Sequence, residues 1–102
     1  MRNNYDEHIN QRIRYYNRIR YYNQREYDLA IESYQKAIAI DPENAVLHYN
    51  LARLYSLQDK KALSIKSLRK AISLDKDFIG KAEKESDFDN IRESPEFQAL
   101  IT

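Results

Sequence analysis

Few residues of this 102-residue chain could do chemistry, and their types narrow it further. The chain has no Cys, which removes thiolate catalysis, disulfides and cysteine metal sites. Nucleophilic catalysis then needs a Ser with a His and an acid, or a conditioned Lys, in a formed cleft. Only His8 and His48 supply imidazole. His48 falls near the start of an apolar stripe and reads as a partly buried or groove-edge ring; His8 reads as a solvated surface residue. Asp87 to Asn90 (DFDN), with Asp75 and Asp77, has the carboxylate density of a calcium loop but lacks its Gly and its distal bidentate Glu. Caps and solvated turns explain those acids better. The expectation is a chain that is not an enzyme and holds no metal and no cofactor.

Binding chemistry is better represented. Arg12, Arg14, Arg18, Arg20 and Arg25 run with no acid between Glu7 and Glu26, and Tyr15, Tyr16, Tyr21 and Tyr22 interleave with them. Arginine forks and tyrosine faces suit phosphate contact and base stacking. They equally suit a protein groove, because Tyr and Arg are favoured interface anchors. The protein groove is the leading reading, and RNA or DNA binding through this helix is the alternative. Charge elsewhere is partitioned: residues 45–74 hold six bases and one acid, residues 75–102 four bases and eight acids, and the net charge of +1 is a cancellation. Lys60, Lys61, Lys66, Arg69 and Lys70 read first as a solvated face. The sharper reading is contact with an anionic partner, or head to tail with the acidic C-terminal third of another copy.

These side chains must be positioned by helices. One Gly in the whole chain argues against barrels, sandwiches and phosphate-cradling loops, all of which need several residues at positive φ. Its 42% hydrophobic and 32% charged residues give the composition of one soluble globular domain. No run approaches the 18 or so apolar residues of a membrane span, and the N-terminus lacks a signal-peptide core. A cytoplasmic location with no membrane partner is expected.

The chain repeats itself. Leu29 to Asp41 and Leu63 to Asp75 agree at seven of thirteen positions at a spacing of 34 residues without a gap, and Tyr21 finds Tyr55 at the same distance. Tyr27, Ala30, Tyr34, Ala37 and Ile38 form one helical stripe, matched by Ser64, Leu68, Ala71 and Ile72 in the second copy. Asp41 to Asn44 (DPEN) ends the first of these helices, since Pro42 disfavours helix before it and suits the first turn of the next. Leu47, Leu51, Leu54 and Tyr55 give a further stripe, closed by the polar turn Gln58-Asp59-Lys60.

A 34-residue helix-turn-helix unit with Tyr27, Ala30, Tyr34, Ala37 and Pro42 at these places resembles the tetratricopeptide repeat. In the second unit Leu51, Ala52, Tyr55, Ser64 and Ala71 fill the interlocking places. His48, Asp59, Lys61 and Lys76 depart from the pattern, Asp59 standing where the family favours Gly, as Arg25 does one unit earlier. The segment Ala82 to Ile101 is similar to those that close such arrays, with Phe88, Ile91, Phe97 and Leu100 apolar and Ser94 before Pro95 reading as an N-cap.

The resemblance implies an all-α fold, antiparallel helical hairpins stacked as a short right-handed α-solenoid. The single domain 1–102 divides into residues 1–10 extending the first helix, 11–44 as repeat one with a degenerate first helix, 45–78 as repeat two, and 79–102 as capping helices opened by Gly80. The first helix is expected over about 5–23. Within it RIRYYN occurs twice, and a six-residue step turns a helix by about 600°, so the copies point about 120° apart.

It also implies a non-enzymatic protein-interaction module whose concave groove, lined by the first helix of each pair, takes a peptide or partner helix. The groove set is Arg12, Tyr15, Tyr16 and Tyr22 from unit one, Tyr49, Asn50 and Arg53 from unit two, and Lys84 from the cap. Tyr27, Tyr34 and Tyr55 interlock hairpins, leaving Tyr15, Tyr16, Tyr22 and Tyr49 as surplus area for a ligand and Arg12, Asn50 and Arg53 to hold its polar or acidic backbone. Tyr49 and Arg53 are accordingly expected to be replaceable without loss of helix. The family's clamp for chaperone C-terminal carboxylates is not supported: Asn50 and Lys84 match it, while Tyr15, Ile19 and Gly80 do not. Self-association through exposed repeat ends is a further alternative, so the partner is a protein or peptide, with a second copy of the chain in view.

Overall fold

The structure, a computed structural model, describes residues 24–102. The helix expected over 5–23 and the register of the RIRYYN pair lie outside the described residues. Helix α1 is helical from residue 24 to residue 40. It is followed by α2 (Ala45–Leu57), α3 (Lys61–Leu74), α4 (Phe78–Lys84), a 3-10 turn (Ser86–Phe88) and α5 (Pro95–Ile101). No strand occurs among the described residues.

The connections follow from local chemistry. Pro42 lies in the turn after α1 rather than in the first turn of α2, because Asn44 takes the capping role. The Asn44 side-chain oxygen accepts from the Val46 amide at 3.1 Å, and its amide nitrogen donates to Asp41 at 3.1 Å. After α2 the Lys60 amide donates to the Tyr55 carbonyl and the Asp59 amide to that of Ser56, both at 2.9 Å. This Schellman pair needs a left-handed residue between helices, and Asp59 supplies it at φ 59°. Aspartate tolerates that region better than most side chains. Arg25, at the same place one unit earlier, is helical instead.

Helix α2 packs on α3. Ala52, Ser64, Leu68 and Ala71 at their contact are fully buried, and the small side chains let the two backbones approach. The Ser64 hydroxyl is not orphaned there, since it donates to the Ala52 carbonyl at 2.7 Å. Side-chain bonds tie α1 to α2: Gln35 Nε2 donates to the Tyr55 hydroxyl at 3.2 Å, and Gln58 Nε2 to Asp28 at 2.6 Å. Ile31, Leu51 and Tyr55 form the small core beneath that joint, with Tyr34, Ile38 and Leu54 packed against it.

The larger core joins the second hairpin to the C-terminal segment. Phe78, Ala82, Phe88, Ile91 and Phe97 close over Tyr49, Ala52, Ile65, Leu68 and Ala71. Helix α5 starts as its sequence dictates, with Pro95 in the first turn and Ser94 Oγ accepting from the Phe97 amide at 3.2 Å. Helix α4 opens at Phe78, two residues before Gly80. A Cβ on Gly80 would meet nothing within 4 Å, so packing does not demand glycine there. The segment keeps the repeat's step: Arg53 pairs with Asp87 and Ser56 with Asn90, each 34 residues on. Helix α4 and the 3-10 turn thus stand where a third unit would place its first helix.

Candidate functional site

A pocket of about 280 Å³ opens between α1, α2 and the cap, lined by Tyr27, Ala30 and Tyr34, by Asn50, Arg53, Leu54 and Leu57, and by Asp87. The helical step puts Asn50, Arg53, Leu54 and Leu57 on one flank of α2, three and four residues apart. Arg53 is its electrostatic centre. Its Nη2 lies 2.8 Å and its Nε 3.0 Å from Asp87 Oδ2, Nε lies 3.1 Å from Glu85, and Nη1 donates to Asn50 Oδ1 at 3.2 Å. Burial works against the guanidinium charge, but the Asp87 hydrogen bond and the field of Glu85 outweigh it and push the Arg53 pKa up. One cation between two carboxylates leaves no surplus positive charge for an acidic ligand. Arg53 here ties α2 to the cap.

Tyr49 requires a correction. It is only 7% exposed, with its ring 4.7 Å from that of Phe78 and 5.7 Å from that of Phe88. The cap's aromatic residues need a large partner on α2, and position 49 faces them, so Tyr49 is spent on the core and offers no area to a groove. Burial foremost, then the charge of Glu85, raises its phenol pKa. The expectation that its removal spares the helices falls with it.

Asn50 and Arg53 do lie together. Lys84, at the exposed end of α4, is not among the residues lining the pocket. Arg12, Tyr15, Tyr16 and Tyr22 lie outside the described residues, as does the Arg/Tyr helix on which the nucleic-acid alternative rests. His48 is half-buried, Nε2 2.8 Å from the Pro42 carbonyl oxygen, and lines a different cavity. Sequence reasoning missed Glu85 and Leu57, and it placed Asp87 among solvated turn acids. The 34-residue interval from Arg53 to Asp87 was the available signal for the Asp87 contact.

Among the described residues no cluster of His, Asp or Glu could hold a metal ion, and no helix is long and apolar enough to cross a membrane. A family model described as TPR repeat matches residues 20–59, and one described as tetratricopeptide repeat matches residues 45–78. No curated protein and no solved structure matches the chain significantly.

Proposed function

Because the chain belongs to the tetratricopeptide repeat family, with two repeats within residues 20–78, we propose that it is a non-enzymatic scaffold holding a peptide or partner helix on the flank of α2 that carries Asn50 and Arg53. Repeats of this family are protein-protein interaction modules. The observation that carries the reading is the pocket in which the Asn50 amide and the apolar Leu54 and Leu57 stand side by side. An apolar side chain of the ligand enters beside the leucines while its backbone bonds to Asn50. Paired with Glu85 and Asp87, Arg53 shapes the pocket without attracting acids. Arg12, Tyr15, Tyr16 and Tyr22 would continue the groove on the first unit, and Lys84 would stand at its far end.

The test is Asn50→Ala combined with Leu57→Ala. Both residues are half-exposed, so far-ultraviolet circular dichroism should stay unchanged while capture of partner proteins from a host extract is lost. Equal capture by the wild type and the double variant places the contact elsewhere.

A further inference from the structure

A second and larger cavity, about 500 Å³, lies away from that groove, between α1 and α3 with α2 as its floor. Ile38, Leu51 and Leu63 form its apolar walls, and Lys66, Lys70 and His48 stand around them. The tether from Gln35 to the Tyr55 hydroxyl fixes one wall. Leu63 remains 44% exposed at the rim, which an isolated solenoid face gains nothing by leaving uncovered.

The charge on this rim is one-sided. Helix α3 carries Lys61, Lys66, Arg69 and Lys70 and no acid. Lys61 reaches Glu96 at 3.4 Å, whereas Lys66 and Lys70 are exposed and have no ion pair among the described residues. Like charges four residues apart on a helix repel by about 0.2–0.5 kcal/mol. An acidic ligand turns that repulsion into attraction, and the apolar walls give it something to anchor.

We propose that this convex cavity is a docking site for an acidic peptide carrying one apolar side chain, which enters between Ile38, Leu51 and Leu63 while neighbouring carboxylates meet Lys66 and Lys70. The site is separate from the Asn50 groove, whose cation is already matched by two carboxylates and does not attract acids. Two faces of one small scaffold would then hold two different ligands.

The probe is a fluorescein-labelled glutamate-rich peptide with one central leucine, followed by anisotropy at low and moderate salt. Saturable binding to the whole chain is expected, weakened at least about tenfold by Lys66→Glu with Lys70→Glu, about 1.4 kcal/mol. It should be retained by Lys66→Arg with Lys70→Arg and by Asn50→Ala with Leu57→Ala, and weakened when the peptide's leucine becomes glycine. Each of the following overturns the proposal: undiminished binding to the Lys66→Glu, Lys70→Glu variant, equal binding of the leucine-free peptide, displacement by an RNA oligonucleotide that binds more tightly, or no binding at low salt. So does sedimentation showing that the unliganded chain dimerises through Lys66 and Lys70, which makes a second copy the occupant. Exposed positions 66 and 70 tolerate substitution, and circular dichroism of each variant verifies folding.

Discussion

The Arg53 guanidinium meets the Asp87 carboxylate at 2.8 Å across 34 residues, one full repeat. Glu85 adds a second carboxylate at 3.1 Å, and three residues further along each partner Asn90 Nδ2 donates to the Ser56 carbonyl at 3.1 Å. The Ser56 hydroxyl donates to the Asp87 carbonyl at 2.6 Å. The C-terminal segment is therefore held in the register of a third unit, by polar bonds above and aromatic packing below.

Asp87→Ala should loosen that register. A hydrogen bond to a charged group contributes about 1.5–3 kcal/mol, and the partial exposure of both side chains reduces it. The expected loss is about 1–2 kcal/mol, read as a lower urea midpoint at unchanged slope. An unshifted midpoint would show that packing alone seats the cap.

Tyr49 separates packing from ionisation. Tyr49→Ala should cost about 3–5 kcal/mol, the range for deleting a buried aromatic ring, whereas Tyr49→Phe keeps the contacts with Phe78 and Phe88 and should be near neutral at pH 7. A phenol ionises near pH 10 in the unfolded chain, and burial raises the folded value above that. Its contribution is thus full below about pH 10 and is lost as pH climbs through the folded value. Thermal melts between neutral and strongly alkaline pH should show a shallower fall for Tyr49→Phe than for the wild type. Parallel falls would assign the alkaline loss to other groups.

The 34-residue period, the all-helical class and the cap at Ser94 and Pro95 were legible because each is a local pattern: matched residues, helical stripes, a side chain in reach of its own amides. The fate of Tyr49 was not. Whether an aromatic residue on α2 faces ligand or core depends on what covers it, and the cover comes from Phe78 and Phe88, distant in sequence and not themselves part of the repeat signature. Arg53 reads as a ligand contact for the same reason: in the sequence Asp87 looks like a solvated turn acid and Glu85 gives no signal, until the fold brings both carboxylates to α2. The convex cavity was half legible: its lysines stood out as a charge block, but Ile38 and Leu51 read only as core.

Asp59 carries a testable local strain. At φ 59° a β-branched side chain is strongly disfavoured, and Asp59→Val should cost about 1–2 kcal/mol in chemical unfolding. Asn tolerates the same region, so Asp59→Asn should lose less. If the two variants are equally stable, the left-handed turn has been replaced by another connection.

The cap and second repeat should unfold as one body. Phe88 and Phe97 are fully buried with ring centroids 5.6 Å apart, and they belong to the same core as Ala52 of α2 and Leu68 of α3. In a solenoid each unit is stabilised only by its neighbours, so removing the last cover exposes the hairpin beneath. Phe97→Ala is expected to cost about 3–5 kcal/mol, a large share of the 5–15 kcal/mol typical of a small domain. Hydrogen exchange should then show protection falling together in α3, α4 and α5, because the lost ring opens a cavity common to all three. Protection lost in α5 alone, with α3 unchanged, would mean that the terminal helix frays independently and that the buried faces of α2 and α3 suffice to hold the second repeat.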